Sequence, residues 1–291
     1  MKNNKSIVLI LSVLAVILLF GTSLAAIVMD DGGNPSMYTS VMGEDVELYG
    51  GAGLYQYDSV FKAVMFRGFD WLSLLVMVPL FGLGVNLFHR GKLRGQLLLA
   101  SLFTYLAYIY LIGVMGNMFN VLFLAWTGLF SLGVFGLIFT LQGVNLPRLP
   151  EKLGARFPRK SVAIYVIALG FVLMIQYLIQ VISSYGAGVP PAALEHYTTL
   201  ELAALEIGIM VPLHWVGGVL LWRKQAWGYL MATLLAFAAA TVFIALNTAL
   251  LMLSLIYGQG TLADMVMPML IMLIAGGFSI VIFSQGKGAE V

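Results

Sequence analysis

The chain contains no cysteine, so disulfides, thiol catalysis and cysteine-ligated metals are excluded, and nothing in it indicates the redox compartment. Charge is scarce as well: 10% of the 291 residues are charged and 61% are hydrophobic. A soluble domain carries about 25% charged residues. This chain cannot cover a water-facing surface, and its solvent is therefore lipid. The net charge of +2 is too small to suggest a nucleic-acid partner. No nucleotide-binding glycine loop, zinc motif or serine elbow is present. His89, His196 and His214 fall on different segments, without the spacing of metal ligands. No lysine sits mid-span, which rejects a retinal Schiff base, and the sequence names no cofactor.

What is present in quantity is apolar sequence in long runs. β-barrel strands are short and alternating, so these runs exclude a barrel. Backbone groups in hydrocarbon must be satisfied within each segment, which requires helices. Eight runs approach the ~20 residues that cross a bilayer core: Ile7–Met29, Phe69–Phe88, Gln96–Met115, Val121–Gln142, Ser161–Ser183, Leu202–Leu221, Gly228–Leu253 and Val266–Ser284. The fold class is an all-α polytopic transmembrane bundle of eight helices. Met1–Lys5 and the following apolar run also resemble a signal peptide, with small residues at Ser23-Leu24-Ala25. Cleavage there would leave seven helices in the same orientation.

Orientation follows from lysine and arginine. With the N-terminus inside, thirteen of the fifteen basic residues are cytoplasmic: Lys2, Lys5, Arg90, Lys92, Arg94, Arg148, Lys152, Arg156, Arg159, Lys160, Arg223, Lys224 and Lys287. Only Lys62 and Arg67 fall outside, whereas Glu151 and Glu290 are the only acids inside. The pattern predicts a multi-pass membrane protein with both termini cytoplasmic. The outer segment Asp30–Gly68 is rich in glycine, tyrosine and acids. Within it, Ser59–Arg67 has the pattern of a short interfacial helix capped by Asp58 or Ser59. Pro147, Pro150 and Pro158 mark residues 145–160 as a linker between a first four-helix unit, 1–144, and a second, 161–291.

The two units are related in sequence. Met77-Val78-Pro79-Leu80 recurs 133 residues on as Met210-Val211-Pro212-Leu213. Ten of the 26 pairs from Met77 to Leu102 are identical, including Gly84/Gly217, Arg90/Arg223 and Gly95/Gly228. Both copies run in the same direction across the membrane. The expectation is a parallel four-plus-four repeat about an axis along the membrane normal, with any site between the halves.

Glu47-Leu48-Tyr49-Gly50, Gly53-Leu54-Tyr55, Tyr57-Asp58-Ser59, Asp70, Arg94-Gly95, Leu97-Leu98-Leu99 and Phe119-Asn120 carry a resemblance over Glu47 to Leu230. In these stretches the chain resembles a family of uncharacterised prokaryotic multi-pass membrane proteins. That resemblance implies the plasma membrane of a prokaryote, and no activity, substrate or cofactor.

Most outer acids have a structural explanation as helix caps, and Asp70, Glu201 and Asp264 are read this way. Glu206 lies too deep to cap. A carboxylate in an apolar span is costly and marks a functional site by default. His214, eight residues on, can face the same cavity, and Pro212 between them removes a backbone hydrogen bond. Gln176 and Gln180 stand one turn apart on the fifth span, while Tyr108 and Asn247 occupy the outer halves of the third and seventh. The bland alternative makes Glu206 structural glue, bonded to a tyrosine, an asparagine or the backbone, and His214 a satisfied core residue. The functional reading is a polar, outward-open ligand site formed by Glu206, His214, Gln176, Gln180 and Asn247. That makes the chain a small-solute or ion transporter, and the eleven outer acids favour a cationic ligand. The alternative is a non-transporting sensor or subunit of a membrane complex, which would need a protein partner. An enzyme is disfavoured, because no nucleophile–base or metal constellation is visible.

Overall fold

In the computed structural model, residues 2–154 and 157–285 are described; Arg156, Lys287 and Glu290 lie outside them. Among the described residues, the apolar runs form eight helices long and apolar enough to cross a membrane. They are α1 (Lys2–Val28), α2 (Val60–His89), α3 (Leu93–Gly116), α4 (Phe123–Gln142), α5 (Arg159–Ala187), α6 (Glu201–Trp222), α7 (Ala226–Ile256) and α8 (Val266–Gln285). In α3 and α7, 72% and 67% of the apolar stretch is buried, against 17% in α8. α3 and α7 are thus the axis of the bundle, and they touch each other. Around them α2 packs on α3 and α7, α6 on α7, α5 on α6, α4 on α3 and α8 on α7. α1 lies against α2 and α4 and buries a stripe of Val8, Ser12, Ala15, Leu19 and Ala26, the spacing of one helical face.

α2 begins nine residues earlier than its hydropathy predicts. Ser59 caps it, its Oγ accepting from Lys62 N–H, and Val60, Ala63, Val64 and Phe66 are buried. The expected interfacial helix is therefore the first turns of the span itself. Lys62 and Arg67 dilute the apolar signal, but each is paired, with Glu201 and Asp30 respectively. Asp70 consequently sits mid-helix rather than at a cap. It is buried and accepts a 2.6 Å hydrogen bond from Tyr55 Oη. Leu200, with no side-chain cap bond, precedes Glu201, so Glu201 does not act as the expected cap; Asp264 does, in a capping box with Thr261.

The segment between α1 and α2 contains an antiparallel β-hairpin, β1 (Ser36–Thr39) with β2 (Asp45–Leu48), which the sequence pattern does not show. Arg67 joins it to the bundle, bonding Asp30 at 2.5 Å, while Tyr49 donates to the other Asp30 oxygen at 2.7 Å. The hairpin marks one face of the bundle, and the basic helix ends mark the other.

On the basic face, the α2–α3 and α6–α7 turns have the same geometry. Lys92 N–H donates to Leu87 O at 3.0 Å, and Gln225 N–H to Leu220 O at 2.8 Å. Gly91 and Lys224 are both left-handed, at φ 70° and 61°. Gly95 and Gly228 are required by crossing backbones: a Cβ would lie 2.2 Å from Phe88 N and 2.0 Å from Leu221 N. Each preceding helix has its C-terminal carbonyl held by a cation from another helix. Lys5 Nζ bonds His89 O, and Arg159 Nη1 bonds Trp222 O.

Candidate functional site

Pro79 and Pro212 have no N–H to complete the helical ladder. Upstream of each, the helix widens into a single π turn, Ser73–Met77 and Glu206–Met210. Val78 N–H reaches back five residues to Ser73 O, and Val211 N–H reaches Glu206 O. Such wide turns re-aim side chains and recur at functional sites. In α6 the turn opens on Glu206 itself.

Glu206 is 6% exposed. Tyr108 Oη, from α3, donates to its Oε1, while Oε2 is buried without a partner. Four residues beyond the π turn, His214 is 2% exposed. Its Nδ1 lies 2.7 Å from Met210 O. A carbonyl only accepts, so Nδ1 carries the hydrogen, and in the neutral ring Nε2 is left as an acceptor. That Nε2 is buried and has no partner. The bland alternative thus accounts for one polar atom of each residue and leaves the other unsatisfied.

Both residues line a cavity of about 300 Å³ between α2 and α3 on one side and α5, α6 and α7 on the other. Gln176 and Gln180 line it too, together with Tyr108, Tyr177, Lys62 and Glu201. Asn247 does not: its Nδ2 bonds Phe243 O on its own helix at 2.6 Å. The mouth lies on the hairpin face, at Phe61 in the first turn of α2, Gln180 near the end of α5, and Ala193. Leu169, His214 and Ala238 are at the deep end, some thirteen residues along α6 from Glu201, or roughly 20 Å at helical rise. The wall corrects the expectation of a polar cavity. Phe61, Met65, Phe69, Leu169, Leu173, Leu202, Val242, Phe243 and Leu246 make it predominantly apolar, with a few polar atoms spaced along it.

Tyr177 and Lys62 were missed as wall residues by sequence reasoning, and Tyr108 was noted only as a polar group. Lys62 stands at the mouth, paired with Glu201, donating to Gly116 O at 2.7 Å and lying 3.8 Å from the centre of the Tyr197 ring. Its one signal is that, of the fifteen basic residues, it is one of two among the acids of that face.

The rim is built from the 188–200 segment folding over the start of α2. Tyr197 Oη and Met118 N–H both donate to Asp58 Oδ1 at 2.9 Å, and Ser59 Oγ donates to Glu195 Oε2 at 2.5 Å. His196 Nε2 lies 2.9 Å from Tyr57 O. Burial pushes the Asp58 carboxyl up to about 6, against the opposing pull of the Met118 and Tyr197 hydrogen bonds. Burial also raises Glu195 and lowers His196. Beside the mouth, and sharing Phe61 with it, a second hollow of about 220 Å³ is lined by Asp45, Glu47 and Glu195. Among the described residues, no three histidine, aspartate or glutamate side chains gather to hold a metal.

Compared with known proteins, the chain matches no protein-family model, no curated protein and no solved structure at a significant level.

Proposed function

We propose that this membrane protein is a small-solute carrier whose binding site is the cavity between α2, α3, α5, α6 and α7. The observation that carries the reading is the pair of orphaned polar atoms, Glu206 Oε2 and His214 Nε2, buried in one wall of one cavity. An unsatisfied buried polar atom costs about 1–3 kcal/mol, and a carboxylate in a span costs more. A bound solute that donates hydrogen bonds removes both costs. The hairpin face is the extracellular face in this reading and both termini are cytoplasmic, because the short basic loops all lie opposite the hairpin.

The reading includes an origin by duplication. The identical prolines, the paired π turns at an offset of 133 residues and the matching α2–α3 and α6–α7 turns support it. So does the shared packing of α1 on α2 and α5 on α6. Parallel repeats place a site where their halves meet, and this cavity draws wall residues from both.

Uptake into proteoliposomes tests the function. A panel of labelled solutes (an amino acid, a sugar, a polyamine and phenethylammonium) is offered to vesicles with wild-type protein, with Glu206→Gln, and without protein. The expected result is wild-type-dependent uptake of at least one solute, lost in Glu206→Gln, whose amide keeps the shape of the acid. Saturable binding without flux would replace the carrier by the sensor or subunit reading. Neither binding nor flux across the panel would remove the site.

A further inference from the structure

Resting on the carrier reading, we infer that the solute class is a protonated amine with an apolar body, and that its entry displaces a proton from Glu206. The wall decides the first half. Neutral His214 Nε2 and, once its proton has left, Glu206 Oε2 are acceptors, so the matching headgroup is an N–H donor; the two lie eight residues, or roughly 12 Å, apart along α6, so one ammonium pairs with Glu206 alone. Hard metal cations require about six oxygen ligands. The deep wall offers them mostly carbon, from Leu169, Ala238, Ala239 and Val242. The same carbon suits an aryl or alkyl group, as most small-molecule sites do. The approach is electrostatically matched, because Asp45, Glu47 and Glu195 line the hollow beside the mouth.

The second half follows from what surrounds the carboxyl. From α3 it meets Tyr108, which bonds it as a neutral donor. The other titratable groups on the wall are Tyr177 from α5, His214 and Glu201 from α6, and Lys62 from α2; the α7 wall residues are all apolar. Lys62 is committed to Glu201 and to Gly116 O, so it does not serve as counter-ion to Glu206. A carboxylate in such surroundings is stabilised only by a cation beside it or a proton on it. Empty, the site holds Glu206 as the acid. Occupied, it holds the carboxylate beside an ammonium. The exchange balances: R–NH₃⁺ enters, the Glu206 O–H bond breaks, and one H⁺ leaves through the mouth. Its net charge movement at the site is zero.

Calorimetric titration of the purified full-length protein with phenethylammonium, in buffers of differing protonation enthalpy, counts the protons released. The inference expects about one proton per amine at the acid end of a range from about pH 5 to 8, falling as pH rises. Glu206→Gln should release none and bind about 30-fold more weakly. Tetraphenylphosphonium, an apolar cation without N–H, should bind more weakly than the amine. No proton released anywhere in that range overturns the exchange. Tetraphenylphosphonium binding as tightly as the amine, or no amine binding, overturns the solute class. Flux of another panel solute alongside either failure would leave the carrier reading standing, so the two fail separately.

Discussion

The helical hairpins α2–α3 and α6–α7 share a turn, a π bulge and a proline, yet one encloses core and the other encloses space. Ser73 opens the first π turn, and its Oγ lies 2.8 Å from Tyr105 Oη. Phe81, two residues past Pro79, packs against Phe103 with ring centres 5.5 Å apart. At the offset of 133, Ser73 corresponds to Glu206, Phe81 to His214, Tyr105 to Ala238 and Phe103 to Ala236. Where the first hairpin has two aromatic fillers the second has alanines, and where the first has Ser73 and Phe81 the second has ionisable groups. The two backbone frames nevertheless match because each is fixed elsewhere, by the turn on the basic face and the glycine crossings at Gly95 and Gly228. The difference teaches that a packed hairpin and a binding wall can be a few side chains apart, provided the frame does not depend on those side chains.

Moving the fillers between the hairpins tests this directly, and the largest effect is expected on the packed side. Tyr105→Ala should destabilise the protein by about 3–5 kcal/mol, because Tyr105 is fully buried and its loss opens a void that the stiff frame does not close. Thermal unfolding in detergent reads this, and amine affinity should stay unchanged in the surviving folded fraction. A loss below ~1 kcal/mol would mean that the first hairpin is not held by its fillers. Next in size is the reverse exchange. Ala238→Tyr puts the filler into the cavity and should weaken solute binding about 100-fold, with a stability change of ~1–3 kcal/mol in either direction. Unchanged affinity would place the solute elsewhere.

The smallest effect concerns the rim, where the 188–200 segment folds over the start of α2. The Asp58 carboxyl, about 6 when folded against 3.8 as its ordinary value, binds its proton more tightly in the folded protein. Its contribution is therefore fullest below pH about 4 and is lost as pH rises through about 6, a difference of at most about 3 kcal/mol. Glu195, also raised by burial, acts in the same direction. His196, lowered by burial, acts in the opposite one: its contribution is full above its ordinary value of 6.5 and fades as pH falls. Asp58→Asn should therefore increase hydrogen-exchange protection of residues 188–200 at pH about 8 and flatten its pH dependence. Protection that falls with the substitution would show that the carboxylate charge itself holds the rim.

The sequence made the eight spans legible because an apolar run of sufficient length has one stable solution in lipid. It also made Glu206 and His214 stand out, because ionisable groups in such runs are expensive. The start of α2 was not legible, since the charges that hid it are neutralised by Asp30, 37 residues before Arg67, and Glu201, 139 residues beyond Lys62. Asp70 was misread for the same reason: its partner Tyr55 lies in a loop that local patterning does not place. The β-hairpin is short and mostly exposed, so neither strand shows clean alternation. The apolar character of the cavity was hidden as well. Whether Phe69 or Val242 faces lipid, core or open space is settled by helix rotation, which no single helix encodes.

The two hairpins can be compared in one labelling experiment, because the chain has no cysteine of its own. Single-cysteine variants His214→Cys and Phe81→Cys, at corresponding positions, are reconstituted in vesicles and exposed to aminoethyl methanethiosulfonate, a small cationic thiol reagent. The account predicts reaction at His214→Cys from the hairpin face, slowed by phenethylammonium, and no reaction at Phe81→Cys from either face. Equal reactivity at the two positions, or reaction at His214→Cys only from the basic face, would contradict it.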